Sequence, residues 1–173
     1  MSINNKKAIV LVEQDYQDLE VWYPVLRLRE EGVIVKIVGT GSSKNYKGKF
    51  GYPIQVDIDA DKVNPDDFDA VIIPGGWAPD YLRRYPSVIN IVKNMFEKGK
   101  VVASICHAAS VLVSSDILKG RKITCFIAVK DDVVNAGATF IDEEVVVDGK
   151  LITSRKPDDL PAFCREIIKA LNG

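Results

Sequence analysis

Short runs of apolar, β-branched residues alternate along the chain with longer stretches in which apolar positions recur every three or four residues, the pattern of parallel βαβ units. Ala8 to Val12 is apolar without a break and predicts a fully buried strand. Beyond the polar turn Glu13-Gln14-Asp15, Leu19, Val21, Trp22, Val25, Leu26 and Leu28 make a broad apolar face on a helix from about Asp18 to Glu31. Pro24 falls inside it and fits either its first turn or a kink. Gly32 ends it as a C′ glycine. Val33 to Val38 predicts a second strand. Residues 39–51 are polar and glycine-rich, a loop or hairpin leading to a short extended piece, Ile54 to Ile58.

Ala70 to Ile73 predicts another buried strand, closed by Pro74-Gly75-Gly76. A helix from about Ser87 to Gly99 turns Val88, Ile89, Ile91, Val92, Met95 and Phe96 inward. The strand Val101 to Ile105, a turn at Cys106-His107 and a resumed helix over Ala108 to Val113 come next. Lys122 to Phe126, Glu144 to Val147 and Leu151 to Ser154 read as strands, and Asp148-Gly149 between the last two is a hairpin signal. Asp131-Asp132 after Lys130 caps a helix, and a helix over about Asp158 to Leu171 comes last. These elements assemble into a doubly wound, mainly parallel sheet with helices on both faces. Sites in such sheets lie outside the carboxyl ends of the strands. The turn after Val12, Pro74-Gly75-Gly76 and Cys106-His107 therefore converge on one crevice.

Composition narrows the options. A chain of 173 residues suits one domain, 1–173, with little room for a second core. Lys and Arg number 23 against 24 Asp and Glu, a net charge of −1, which favours neither nucleic acid nor an anionic membrane as partner. No stretch approaches the ~20 apolar residues of a membrane span. The run Ala8 to Val12 is too short for a signal-peptide core. Three cysteines without CxxC or metal-finger spacing read as thiols in a reducing, cytoplasmic compartment. With a single histidine, the chain predicts no metal site and no cofactor.

The remaining chemistry gathers around Cys106, which should sit on a sharp strand-to-helix turn. A helix N-terminus presents free N–H groups and partial positive charge, both favouring the nucleophilic thiolate. His107, the one histidine, suits general acid–base work near neutral pH, or simply caps the helix. Gly75 and Gly76 let backbone approach a substrate, and their N–H groups, with that of His107, could form an oxyanion hole; a flexible turn is the plainer alternative. Asp15 and Asp18 complement the first helix dipole. Glu20 matters only if it faces Cys106, where it would need to be protonated so that it donates to the sulfur rather than repelling it. Cys125, in an apolar strand, and Cys164, on the last helix, read as core.

Ala103-Ser104-Ile105-Cys106-His107 resembles the nucleophile elbow of the DJ-1/PfpI superfamily, specifically its PfpI intracellular protease branch. The resemblance runs through Tyr23-Pro24, Glu30-Glu31-Gly32, Asn64-Pro65, Pro74-Gly75-Gly76 with Ala78-Pro79, Lys130-Asp131-Asp132, Asp148-Gly149 and Ser154-Arg155. It implies a flavodoxin-like three-layer sandwich, of the class I glutamine amidotransferase kind, and assembly into a homodimer or larger homo-oligomer. It further implies Cys106 as nucleophile, His107 as its partner, Glu20 as the carboxylic acid touching the thiol, and Gly75 and Gly76 at the oxyanion hole. Asp80 matches the position of an acid that orients the histidine from a neighbouring subunit. Ala108-Ala109, Phe126, Gln17, Trp77 and Asp80 depart from the residues usual there. Three activities are consistent with this set. The first is a cysteine hydrolase of the PfpI type acting on peptides or small acyl substrates. The second is a cofactor-free glyoxalase or deglycase acting on dicarbonyls and glycation adducts. The third is a stress-response sensor switched by oxidation of Cys106.

Overall fold

The computed structural model describes residues 3–173. Its strands are β1 (Lys7–Val12), β2 (Ile34–Gly39), β3 (Asn45–Lys47), β4 (Pro53–Gln55), β5 (Ile58–Asp59), β6 (Ala70–Ile73), β7 (Val101–Ile105), β8 (Lys122–Ile123), β9 (Thr139–Phe140), β10 (Val145–Asp148) and β11 (Leu151–Ser154). Its α-helices are α1 (Asp18–Glu30), α2 (Ala78–Leu82), α3 (Pro86–Glu97), α4 (Ala109–Ser114), α5 (Lys130–Asn135) and α6 (Leu160–Asn172).

One sheet runs in the order β10-β11-β7-β6-β1-β2-β5. Every neighbouring pair in it is parallel except the β10–β11 hairpin, which turns at Asp148-Gly149 as its sequence signal predicts. β1 beyond Lys7, β6 and β7 are buried throughout and apolar but for Ser104, because helices cover both of their faces. α1 packs with α6 on one side, and α2, α3 and α4 pack together on the other, which is the flavodoxin-like sandwich. The chain starts at β1, winds outward to β2, then returns to β6, so the order reverses between β1 and β6. That reversal opens the crevice in which a site belongs. Among the described residues, no helix is long and apolar enough to cross a membrane.

Four local expectations need correction. Leu19 and Leu26 lie 57% and 59% exposed, because the buried stripe of α1 is narrower: Glu20, Val21, Pro24, Val25 and Leu28. The strand predicted over Lys122 to Phe126 stops at Ile123 and pairs in parallel with β9, in a two-stranded sheet separate from the main ladder. Beyond it the backbone leaves the ladder for two fixed partners. Thr124 N–H donates to Thr153 Oγ1 at 2.9 Å, and Phe126 N–H donates to the Cys106 carbonyl at 3.2 Å. Cys125 is thus buried in a connection, not in a strand. Asp131 and Asp132 occupy the first turn of α5, where they complement its dipole without capping it. The residues after Gly75-Gly76, to which the pattern assigns no element, form the short helix α2.

Candidate active site

β7 delivers the chain to Cys106, whose φ of 63° is the left-handed conformation that non-glycine residues rarely hold. Such strain persists only where surrounding contacts over-determine it. Here Ser104, two residues earlier, is registered against Ile73 on one side and Thr153 on the other, and Phe126 N–H holds the Cys106 carbonyl. One 3₁₀ turn, Cys106–Ala108, then feeds α4, so the thiol stands on a strand–turn–helix elbow.

The loop after β6 presses against that elbow. A Cβ on Gly75 would lie 2.6 Å from Glu20 Oε2 and 2.7 Å from the Cys106 Cβ, so no larger residue fits. Gly76 adopts φ 77°, and a Cβ there would meet the backbone of Gln17 at 2.4 Å. Gln17 N–H donates to the Gly75 carbonyl at 3.1 Å and Trp77 N–H to the Asp15 carbonyl at 2.9 Å, tying this loop to the entry of α1. The Gln17 side chain accepts from Glu20 N–H at 3.0 Å and caps the helix.

α1 in turn delivers Glu20, fully buried, to the floor of the crevice. Its Oε2 accepts from Gly75 N–H at 2.7 Å. Among the described residues its Oε1 has no hydrogen-bond partner, and the carboxyl and the Cys106 side chain both border Gly75 and interact with each other. Burial, eased by the Gly75 N–H and the thiol, pushes the Glu20 carboxyl up to about 7. The Cys106 thiol is pushed up to about 12, first by burial and then by the charge of Glu20, while the N–H groups of His107 and Gly76 pull it down.

This corrects two expectations. The N–H at the start of the turn does pull the thiol down, but burial and the charge of Glu20 outweigh it. Gly75 N–H does not face an oxyanion: Glu20 takes it, leaving the N–H groups of Gly76 and His107 aimed at the sulfur. Thiol and carboxyl are coupled: the protonated thiol eases Glu20 toward ionisation, and the ionised carboxyl keeps the proton on the thiol. A protonated Glu20 aims a donor at the sulfur and favours thiolate, whereas an ionised Glu20 holds the proton on the thiol.

His107 Nδ1 lies 3.4 Å from Cys106 Sγ, so these adjacent residues do meet. Its ring stacks on Phe126, with centroids 4.8 Å apart and planes at 27°. Burial, followed by the positive charge of Lys49, lowers its pKa. The imidazole is therefore neutral near pH 7 and free to accept a proton. Asp80 stands exposed on α2, ion-paired with Arg84 one turn along. Among the described residues no carboxylate hydrogen-bonds to His107.

Glu20, Cys106, His107, Phe126 and the 67% exposed Trp77 line a cleft of about 220 Å³. Lys49 and Lys156 stand on its walls, and sequence reasoning passed over both. Lys49 carried no signal, sitting in the polar stretch between β2 and β4. Lys156 follows β11 at the carboxyl edge of the sheet, so the rule that located Cys106 could have found it. Cys125 and Cys164 are buried, and burial pushes both thiols up to about 12. No group of three or more His, Cys, Asp or Glu among the described residues is placed to hold a metal ion.

A thiol on a strained elbow at the carboxyl edge of a doubly wound sheet, with a buried carboxyl against the sulfur, defines a class of α/β proteins built around one cysteine. Within that class the chain belongs to the DJ-1/PfpI family, which residues 6–170 match. It is 46% identical over 165 residues to Deglycase PfpI of Pyrococcus furiosus, covering 95% of this chain and 99% of that one. A Bacillus subtilis relative, YraA, is 40% identical over 167 residues, covering 96% and 99%, and carries a provisional cysteine-protease name. Among solved structures, a two-domain Anabaena variabilis protein with DJ-1/ThiJ/PfpI-like and ferritin-like domains superposes with a TM-score of 0.95 at 43% identity. That match covers 97% of this chain and 48% of the Anabaena chain, so this chain spans about half of it.

Proposed function

We propose that the chain is a cofactor-free enzyme of the deglycase and glyoxalase kind, using Cys106 on α-oxoaldehydes and on the adducts they form with amines. The observation that carries this reading is the buried Glu20 carboxyl, raised to about 7 and with one oxygen unpartnered among the described residues, beside the Cys106 thiol on one chain. That pair provides a nucleophile and a proton carrier without metal or cofactor. The deglycase name of the Pyrococcus relative supports the same reading.

In the reaction, the Cys106 sulfur bonds to the aldehyde carbon and the thiol proton, carried by Glu20, ends on the carbonyl oxygen. The product is a hemithioacetal. With an amine adduct, the sulfur displaces the amine from the carbinol carbon and the amine leaves with the thiol proton. Neutral His107 takes the proton from the sulfur-bearing carbon and returns it to the neighbouring carbon. The first carbon is thereby oxidised to a thioester and the second reduced to an alcohol. Water cleaves the thioester, releasing a 2-hydroxy acid and restoring the thiol. The N–H groups of Gly76 and His107 face the oxygens on which charge develops.

Peptide hydrolysis is the second reading, favoured by the YraA name and by Asp80 standing open to a second copy of the chain. It needs an acid to orient His107. Methylglyoxal turnover to lactate by the purified protein separates the two. Cys106→Ser is expected to abolish it, by at least about 10³-fold, and Asp80→Ala to leave it within about twofold. Peptide cleavage that disappears in Asp80→Ala, with no lactate formed by the native protein, would overturn the deglycase reading.

A further inference from the structure

The cleft over Cys106 has an uneven charge. Its lining holds two ammonium groups, Lys49 from the separate β3–β4 hairpin and Lys156 from the segment after β11 of the main sheet. The one acid in that lining is Glu20, on the floor. Both lysines are exposed, so neither is needed to fill the core. Among the described residues Lys49 makes no ion pair; its ammonium lies 5.1 Å over the Phe50 ring, and its charge is felt at both Glu20 and His107. Lys156 has one loose ion pair, 3.4 Å to the exposed Asp158. Cations elsewhere in the fold are held more firmly, Lys44 and Lys62 by Asp59 and Arg155 by Asp142 and Asp159. A pair of under-used ammonium groups flanking a nucleophile attracts anions, and low-dielectric walls concentrate that field.

From these positions we infer that Lys49 and Lys156 make the cleft selective for carbonyl substrates that carry an anionic group, a carboxylate or phosphate, within a few bonds of the reacting carbon. The inference deepens the proposed function by naming its substrate class, and it rests on Cys106 as the reacting group. The neutral dicarbonyls are then the poorer substrates. A lysine suits this task because it is a point charge on a flexible stem, able to follow anionic groups of different reach.

The test compares two alkylating reagents of similar size that differ in charge, iodoacetate and iodoacetamide. With either, a sulfur–carbon bond forms at Cys106 as the carbon–iodine bond breaks and iodide leaves. Cys125 and Cys164 are buried, and a Cys106→Ser protein supplies the background. The iodoacetate-to-iodoacetamide rate ratio is divided by that of free cysteine at the same pH and salt. At low ionic strength we expect this normalised ratio to exceed about five, to shrink in 0.5 M salt to about two or less, and to fall likewise in Lys49→Gln with Lys156→Gln. Lys156→Gln alone gives the cleaner reading, because Lys49 also acts on Glu20 and His107. A ratio at or below one in the native protein, or one unchanged by the substitutions, overturns the inference. A second arm compares kcat/KM for 4,5-dioxopentanoate and its neutral methyl ester. If both are consumed with equal efficiency, the charge selectivity fails while the proposed function stands. If neither is consumed but alkylation keeps its selectivity, the proposed function fails and the anion-selective cleft stands.

Discussion

Two carboxylates are buried at the same edge of this sheet, and they are equipped in opposite ways. Glu13, 4% exposed, directly follows β1 and is ringed by donors. Thr40 Oγ1 reaches its Oε1 at 2.7 Å, the Ser42 hydroxyl joins there, and Gln14 N–H reaches Oε2 at 2.6 Å. Tyr46 extends the network behind them through Thr40 and Ser42. Glu20, fully buried, receives one N–H on one oxygen, has its other oxygen unpartnered among the described residues, and lies beside a thiol. A buried acid whose oxygens are both satisfied ties loops together. One with a free oxygen against sulfur is poised to hold or release a proton. The contrast distinguishes a structural carboxylate from a chemical one more clearly than burial does.

Exchanging each acid for its amide is the strongest way to break this contrast. Glu20→Gln is expected to lower turnover by about 10²- to 10⁴-fold, the usual range for losing a proton-transferring side chain. Glu13→Gln should leave kcat within a few-fold and cost about 1–3 kcal/mol of stability, since one amide nitrogen must face donors. Steady-state kinetics and urea unfolding of both variants measure this, and reversed roles would sink the distinction. The next effect is thermodynamic. Glu20 titrates at about 7 in the fold against 4.5 when unperturbed, so the native state holds the extra proton. Its stabilising contribution is complete below pH 4.5 and declines as pH rises to about 7. Replacing it with Gln removes that decline, so the variant should gain roughly 3 kcal/mol on the native protein between pH 4.5 and 8. Parallel stability–pH curves for the two proteins would refute it.

Gly75→Ala sharpens the same point, since its methyl would press on both Glu20 and Cys106. We expect turnover to fall at least tenfold, with about 1–3 kcal/mol of overpacking strain visible in thermal melts. The smallest effect is at Phe126, which stacks on His107. Phe126→Ala should lower kcat by roughly two- to fivefold through loss of an aromatic contact of about 1 kcal/mol, and Phe126→Leu should restore part of it.

The sheet was legible because its central strands are unbroken apolar runs, and parallel burial leaves such runs unmistakable. The convergence of Cys106, Gly75-Gly76 and α1 followed from the carboxyl-end rule alone. Glu20 was harder. Its place beside Leu19 and Val21 looks like ordinary first-turn acid, and only three-dimensional packing shows that Leu19 faces solvent while Glu20 faces the thiol. The roles of the two glycines could not be divided from sequence, because only the structure shows Gly75 N–H donating to Glu20. Phe126 was expected in a strand; its N–H instead holds the Cys106 carbonyl, a tertiary contact that overrides local β propensity.

The central claim is that Glu20 governs the protonation of Cys106. Iodoacetamide alkylation of Cys106 against pH, in the native protein and in Glu20→Gln, tests it most directly. The account predicts a native thiol titrating well above the ~8.5 of a free cysteine. In the variant, a neutral amide replaces the carboxylate and donates to the sulfur, so the midpoint should fall by at least about one pH unit while turnover is lost. An unchanged or higher midpoint in Glu20→Gln would contradict the coupling and leave the carboxyl with a purely structural role.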